Sequence, residues 1–231
     1  MKRIGILGGI SHHTTLEYYR RIMDFYTQRK GDLNYPEIII YSLSHGKFKK
    51  YEDTNQLDDY VGYISFGVEN LIKSGAECIV LAANSPHRVL EILQARFDIP
   101  FISALDSAFH AAMNQGIKRG LLLGIKFTMQ SDFYQERFRK GGIELITPND
   151  KEQDAINEII FHKLTNGKDI DTETKRQIMD IISKYPVDGV VLGCMRLPIF
   201  FNDRTVEGLN LVNTLERHID DILDYAERER H

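Results

Sequence analysis

Short apolar runs alternate along the chain with longer amphipathic segments. The runs cover residues 4–7, 38–41, 78–81, 100–102, 121–123, 143–146 and 189–192. Between them, apolar positions recur at spacings of three and four, which predicts helices over residues 15–26, 57–73, 89–96, 104–115, 131–140, 151–164, 172–184 and 214–227. Strands that are apolar on both faces and alternate with helices are typical of a buried parallel sheet.

The same order of motifs occurs twice in the chain. Residues 2–9 read KRIGILGG and residues 118–125 read KRGLLLGI, while residues 76–83 read AECIVLAA and residues 187–194 read VDGVVLGC. We therefore predict an α/β fold of two similar doubly wound subdomains, with parallel sheets related by pseudo-twofold symmetry and a ligand cleft between them. The predicted N-terminal subdomain comprises residues 1–99 with the C-terminal helix in residues 208–231, and the second comprises residues 100–207.

Composition narrows the classes of protein that fit. The 231 residues carry a formal net charge of −4 and are 42% hydrophobic, which suits a globular protein and argues against a nucleic-acid partner. No apolar run approaches the roughly 18 residues of a membrane-spanning helix, so we predict no membrane partner. Two cysteines in such a length do not make a disulfide framework, which favours a reducing, cytoplasmic location.

Polar residues follow two strands of the predicted first half. In ILGGISHHTT, Gly9 and Ser11 connect a strand to a helix, where they either face a carboxylate or phosphate or simply cap the helix. In LAANSPHRV, either Ser85 caps a short helix with Pro86 in its first turn, or the Asn84 amide and the Ser85 hydroxyl hold a substrate carboxylate. His87, in the same stretch, is a candidate for proton transfer.

The second half offers matching candidates. In LLLGIKFTMQ, Lys126 and Thr128 follow a strand, and either they form a second candidate carboxylate site or Lys126 is solvated and Thr128 caps the next helix. In VVLGCMRLP, Cys194 follows a strand and a glycine, where a helix N-terminus and Arg196 would lower the pKa of its thiol. Cys78 lies within an apolar run and is predicted to be part of the core.

Several other kinds of site lack their signatures. The eight histidines show no metal-ligand spacing, so we predict no metal. The chain also contains no GxGxxG, no Walker lysine and no GxSxG.

These motifs, in this order, resemble the aspartate/glutamate racemase family of the Asp/Glu/hydantoin racemase superfamily. The resemblance covers IGILGGIS at 4–11, PEIIIYSL at 36–43, AANSPH at 82–87, IKFTMQSDFY at 125–134, VVLGCMRLP at 190–198 and NTLERH at 213–218. It implies no cofactor, a small carboxylate or amino-acid substrate and a homodimer. It also implies that one thiolate removes the substrate α-proton and a second thiol returns a proton to the opposite face, since inversion needs a group on each face.

The chain departs from the family pattern at several ligand-facing positions. Ala83 stands where the family has its first thiol, and Ile125 stands where the family has a threonine after Leu-Gly. Met195 and Arg196 replace the Thr and Glu of the family motif Gly-Cys-Thr-Glu-Leu-Pro, so the substrate-binding position of that Thr is occupied by Met195. Cys194 retains the second thiol.

Three hypotheses for function remain open. The first is an amino-acid racemase with Cys194 as acid/base and with His87, His13 or water as its partner. The second is a one-base enzyme similar to the malonate-type decarboxylases of the superfamily, and the third is a non-catalytic homologue that binds a carboxylate. The residues that could meet a distal carboxylate, or that are ordinary solvated surface side chains, are Lys47, Lys49, Lys50 and Arg88.

Overall fold

The computed structural model describes residues 1–54, 56–164, 172–201, 205–206 and 208–228. The chain divides into two compact units, of which the first comprises Met1–Ala104 and His218–His231 and the second comprises Leu105–Arg217. Within the described ranges, no helix is both long and apolar enough to cross a membrane.

The first unit contains a four-stranded parallel sheet in the order β2-β1-β3-β4. Its elements are β1 (Ile4–Gly8), α1 (His12–Lys30), β2 (Ile38–Ser42), α2 (His45–Asp53), α3 (Leu57–Lys73), β3 (Cys78–Leu81), a 3-10 helix (Ser85–Val89), α4 (Leu90–Arg96) and β4 (Phe101–Ile102). The strands β1 and β3 are buried along their whole length, which explains why they read as continuous apolar runs.

The second unit contains a sheet in the order β6-β5-β7-β9-β8, in which only the edge strand β8 is antiparallel. Its elements are α5 (Ala104–Asn114), β5 (Arg119–Leu123), α6 (Lys126–Gln130), α7 (Asp132–Lys140), β6 (Glu144–Ile146), α8 (Asp150–Glu158), a π-helix (Ile159–Leu164), α9 (Thr172–Ile182), β7 (Gly189–Leu192), a 3-10 helix (Leu197–Phe200), β8 (Thr205–Val206), β9 (Leu209–Asn213) and the start of α10 (Thr214–Ala226). From His218 onward, α10 belongs to the first unit.

The four parallel strands of each sheet follow the same topology, which confirms the predicted α/β fold of two similar halves. Leu7 of β1 pairs with Leu81 of β3, and Leu123 of β5 pairs with Leu192 of β7. Just beyond, the Ala82 amide donates to the Leu7 carbonyl at 3.0 Å, as the Gly193 amide donates to the Leu123 carbonyl at 2.7 Å. Ala83 and Cys194 therefore occupy matching positions after equivalent strands.

The observed boundaries differ from the predicted ones, which were residues 1–99 with 208–231 and residues 100–207. Phe101 pairs with Ile79 of β3, so residues 100–104 remain with the first unit. The segment Leu209–Asn213 forms β9 beside β7, so it belongs to the second unit rather than the first. Its strand was missed because asparagines interrupt its apolar residues.

The apolar pattern also missed two helices that follow strands. Of the residues in α2, Phe48 alone is buried, so the helix shows no apolar stripe. The other, α6, has five residues, which is too short for a helical period to be recognised. The predicted helix over residues 151–164 is divided into α8 and the π-helix.

Candidate functional site

Cys194 lies just beyond the carboxyl end of β7, the strand flanked by β5 and β9. It is half-buried and packs against the core of the second unit. Burial raises the pKa of its thiol, and this outweighs the backbone N–H groups of Arg196 and Leu197 and the charge of Arg196, which lower it. The prediction of a lowered pKa was therefore wrong, although both predicted influences are present.

Two glycines bring β5 and β7 close together beside Cys194. A Cβ on Gly124 would lie 3.2 Å from the Gly193 carbonyl oxygen, and a Cβ on Gly193 would lie 2.7 Å from Leu122 Cδ1. Thr128 packs against both glycines and is fully buried, and its hydroxyl has no hydrogen-bond partner within the described ranges. Buried hydroxyls nearly always have a partner, so this one is suited to binding a ligand.

The other candidates of the second unit are arranged differently. Lys126 turns toward α8, where its amide donates to Asn157 Oδ1 at 2.9 Å and its Nζ lies 2.5 Å from Asp154 Oδ1. Met195 is 8% exposed, and its thioether is only a weak hydrogen-bond acceptor. The structure thus places Thr128 and Cys194 beside the same pair of glycines, while the charge of Lys126 is compensated by Asp154.

In the first unit, the position that matches Cys194 is occupied by Ala83, which is half-buried against the core. The next residue, Asn84, is buried and stands at the N-cap of the 3-10 helix without a side-chain capping bond. The predicted cap, Ser85, is instead the first residue of the helix. Pro86 lies in the first turn of the helix, as predicted.

The turn that contains Gly9 and Ser11 caps α1. Ser11 Oγ accepts a hydrogen bond from the Thr14 amide at 3.4 Å, and the Gly9 amide donates to Thr15 Oγ1 at 3.0 Å. Gly9 has a φ of +82°, and a Cβ there would lie 2.1 Å from the Leu43 carbonyl oxygen, so the turn requires glycine. Because Thr15 already accepts from the Gly9 amide, that amide is not free to bind an anion.

His87 and His218 belong to a buried polar network of the first unit. His87 Nε2 accepts from the Ala104 amide at 3.1 Å, so His87 Nδ1 donates to the Asn84 carbonyl at 3.2 Å. His218 Nε2 lies 2.8 Å from the Ile102 carbonyl and donates to it, so His218 Nδ1 accepts from Tyr18 Oη at 2.6 Å. Both ring nitrogens of His87 are therefore occupied by backbone groups, an arrangement that holds chain segments together rather than one that transfers protons.

Two residues that the sequence pattern did not indicate accompany Ser85. Its hydroxyl lies close to Glu52 of α2 and Tyr60 of α3. Burial raises the pKa of the Glu52 carboxyl and of the Tyr60 phenol, and a hydrogen bond with Ser85 partly offsets that rise in each group. Glu52 was missed because α2 was not predicted, and Tyr60 fitted the apolar stripe of its helix. Nothing in the sequence around Ser85 indicates that its side chain faces α2 and α3.

A third missed residue is Tyr134 of α7, which is fully buried. Burial raises the pKa of its phenol, and negative charge on Cys194 raises it further, which places the two side chains near each other. By contrast, Cys78 is confirmed as a core residue, because it is fully buried and burial raises its pKa to about 12.

The basic residues suggested for a distal carboxylate are mostly at the surface. Lys47, Lys49 and Lys50 are exposed on α2, where Lys49 pairs with Asp53. The guanidinium of Arg88 is half-buried and lies 5.6 Å from the centroid of the Tyr60 ring. Among the residues that the structure describes, no group of three or more His, Cys, Asp or Glu side chains could hold a metal ion.

Comparisons with known proteins place these features in a family. The model of the family "Asp/Glu/Hydantoin racemase" matches residues 7–220. The broad specificity amino-acid racemase RacX of Bacillus subtilis (strain 168) is 26% identical over 170 residues, which are 68% of this chain and 69% of that protein.

Two crystal structures are similar over nearly the whole chain. One is a candidate Asp/Glu racemase from Yersinia pestis, with a TM-score of 0.90 and 29% identity over 99% of this chain and 100% of that one. The other is an aspartate racemase homologue from Pyrococcus horikoshii OT3, with a TM-score of 0.86 and 32% identity over the same shares of the two chains, 99% and 100%. With its family model matched over most of its length and its fold shared with these structures, the chain belongs to the Asp/Glu/hydantoin racemase family.

Proposed function

We propose that this chain is an amino-acid isomerase of the racemase type in which Cys194 moves the proton at the substrate α-carbon. The observation that supports this most strongly is the half-buried thiol at the carboxyl end of β7, close to the Thr128 hydroxyl, which has no hydrogen-bond partner in the described part of the chain. The N–H groups of Arg196 and Leu197 at the sulfur stabilise a thiolate. The Thr128 hydroxyl can donate a hydrogen bond to a substrate carboxylate.

The proposed reaction begins when the Cys194 thiolate removes the α-proton, and the electron pair left on carbon is delocalised into the substrate carboxylate. If the new thiol returns its proton, the starting isomer forms again; if another acid protonates the opposite face, the product is inverted. Ala83, at the position matching Cys194, has no proton to give, and both ring nitrogens of His87 are bonded to the backbone. We therefore assign the second protonation to water, and the hydroxide that remains takes the proton of the Cys194 thiol and restores the thiolate. Because water is a weaker acid than the Cys194 thiol, inversion is expected to be slower than α-proton exchange.

The test is incubation of the purified protein in deuterated water with the L- and D-isomers of aspartate, glutamate and neutral amino acids. NMR measures loss of the α-proton, and chiral chromatography measures inversion. The proposal requires exchange with at least one amino acid, faster than inversion, and its loss in Cys194→Ser. If no amino acid exchanges, yet one of them raises the melting temperature and is recovered unchanged, the chain is a non-catalytic binding homologue.

Ala83 specifically favours a second candidate, a one-base decarboxylase acting on substituted malonates. Loss of carbon dioxide would leave the bonding electron pair on the α-carbon, the Cys194 thiol would protonate that carbon, and water would then reprotonate the thiolate. This chemistry needs an acid on one face only. Carbon dioxide release from methylmalonate, abolished in Cys194→Ser, would support this candidate over the racemase.

We further propose, from family membership, that the protein needs no cofactor and acts as a cytoplasmic homodimer. Exchange that persists after dialysis against a chelator and removal of small molecules is the expected result. Sedimentation analysis is expected to give twice the mass of the chain. Loss of exchange on dialysis would contradict cofactor independence.

A further inference from the structure

The strand β2 leaves one of its sides open at the edge of the first unit's sheet. It pairs in parallel with β1, and within the described ranges no strand pairs with its other side. The Leu43 amide, just after the strand, donates to the Gly8 carbonyl of β1 at 2.9 Å. Because backbone groups alternate in direction along a strand, Ile38, Ile40 and Ser42 turn theirs away from β1, toward the open side.

This edge lacks the features that normally protect an exposed strand. Natural edge strands are usually very short, charged, interrupted by proline or a bulge, or covered by other parts of the chain. The strand reads Ile-Ile-Ile-Tyr-Ser, without a charged residue or a proline, and its pairing with β1 runs through all five residues without a bulge. Ile40, at its centre, is 41% exposed. Such an edge is suited to pairing with a strand of another chain.

Apolar side chains border the open edge on both faces of the sheet. On the face of Ile38 there is a groove lined in part by Tyr19 of α1 and by Tyr35, which are 45% and 44% exposed. On the opposite face, Phe66 of α3 is 52% exposed and packs edge-on against Tyr41 of β2 with 6.1 Å between ring centroids. Apolar side chains grouped in this way at a surface indicate an interaction site.

The segments on either side of β2 carry opposite charges. Residues 31–37, which precede the strand, contain two acidic residues and no basic one, while residues 43–50, which follow it, contain three exposed lysines and no acidic residue. The Glu37 carboxylate pairs with Arg3 and is still 68% exposed. An antiparallel strand from a second copy would bring the acidic segment of each copy toward the basic segment of the other, whereas a parallel one would bring like charges together.

The sequence of β2 also fits itself in the antiparallel direction. With a twofold axis at Ile40, that residue faces its own copy and Ile38 faces Ser42. These are the three residues whose backbone groups point outward, so each facing pair can exchange two hydrogen bonds. Ile39 then lies opposite Tyr41, and pairs of β-branched and aromatic side chains stabilise sheets. The strand therefore supplies both halves of a self-complementary interface.

We infer that β2 pairs antiparallel with β2 of a second copy about a twofold axis at Ile40, which joins the two four-stranded sheets into one continuous sheet. The apolar side chains that border the edge are then covered by the partner. The inference rests on the homodimer proposed above from family membership, because it assigns the interface of that homodimer. It does not depend on the proposed reaction.

Ile40→Lys tests the interface, because the axis would bring two positive charges face to face. Sedimentation equilibrium is expected to show a dimer for the wild-type protein and a dissociation constant roughly 100-fold higher or more for the variant. The matched control is Ile92→Lys, which makes the same change on α4 at a side chain that is 43% exposed, and it should leave the dissociation constant unchanged. Circular dichroism checks that both variants are folded.

A mixture of two variants tests the register. Ile40→Glu alone should dissociate as Ile40→Lys does, because like charges again meet at the axis. An equimolar mixture of the two should form a heterodimer, since opposite charges then face each other. A mixture that stays monomeric would overturn the inference.

Hydrogen exchange tests the same contact without any substitution. In the wild-type dimer, the Ile40 amide should exchange at least about 100-fold more slowly than in an unstructured peptide, because it donates to the second copy. An amide of the dimer that exchanges at the unstructured rate would contradict the pairing.

The outcomes distinguish the interface from the homodimer itself. A dimer that resists Ile40→Lys would overturn the interface and leave the homodimer standing. A wild-type protein that is monomeric at every concentration would overturn both, and would leave the edge to a strand from a different protein. Neither result alters the test of α-proton exchange at Cys194.

Discussion

Low pH should destabilise the protein through His218, because burial in the polar network of the first unit disfavours the charged form of its ring. The ring is fully buried, with His87 at 6.3 Å and Tyr18 at 5.5 Å between ring centroids. Burial, followed by the neighbouring His87, lowers the pKa of His218 from 6.5 to about 3. Because Nδ1 accepts from Tyr18 and Nε2 donates to Ile102, a second ring proton would also break the first of these bonds.

The sign and size of the effect follow from linkage. Since the folded pKa is the lower one, the unfolded chain binds the proton first as pH falls below 6.5. One proton changes the free energy of unfolding by about 1.4 kcal/mol per pH unit. His218 should therefore remove about 2 kcal/mol of stability between pH 6.5 and pH 5, and the loss should continue toward pH 3.

Urea denaturation followed by far-UV circular dichroism measures this loss at each pH. The matched variant is His218→Gln, whose side chain can still donate to Ile102 and accept from Tyr18 but does not titrate. We expect the wild-type free energy of unfolding to fall more steeply than that of the variant over this interval, by about 1.4 kcal/mol per pH unit. Equal slopes in the two proteins, or an NMR titration of the His218 ring near its ordinary pKa, would refute the account.

Three further predictions concern single positions. Gly9→Ala should lower the free energy of unfolding by about 2–4 kcal/mol, because of the left-handed φ and the Leu43 backbone, and a change below about 1 kcal/mol in urea denaturation would contradict this. Thr128→Val should leave stability unchanged or raise it by up to about 1 kcal/mol while weakening substrate binding roughly fivefold in calorimetry; unchanged affinity would exclude Thr128 from the site. Because burial raises the pKa of Cys194, kcat/KM for α-proton exchange should rise about tenfold per pH unit above neutrality, and a plateau at pH 7 would contradict a raised pKa.

Much of the fold could be predicted because the central strands are buried on both faces. The runs that form β1, β3, β5 and β7 are apolar, and the internal repeat in the sequence alone matches Ala83 to Cys194. The strand β9 escaped because its burial depends on β7 beside it rather than on its own pattern. The helix α2 could not be predicted because Phe48 alone among its residues is buried, and one buried residue gives no apolar stripe.

The candidate site could be predicted less well, because its properties depend on contacts distant in sequence. The motif GCMRLP located Cys194, but the balance between burial and nearby donors sets its pKa. His87 looked available for proton transfer, whereas Ala104 occupies its Nε2. The pairing of Glu52 with Tyr60 around Ser85 depends on how α2 and α3 pack, which no local motif encodes.

The central claim is that Cys194 carries the α-proton, and exchange in deuterated water tests it most directly. The measurement compares wild type with Cys194→Ala and with the matched control Cys78→Ala, which removes a thiol that is fully buried in β3. We predict that wild type and Cys78→Ala incorporate deuterium at the substrate α-carbon at similar rates, while Cys194→Ala falls to the background of buffer alone. Undiminished exchange in Cys194→Ala would contradict the account.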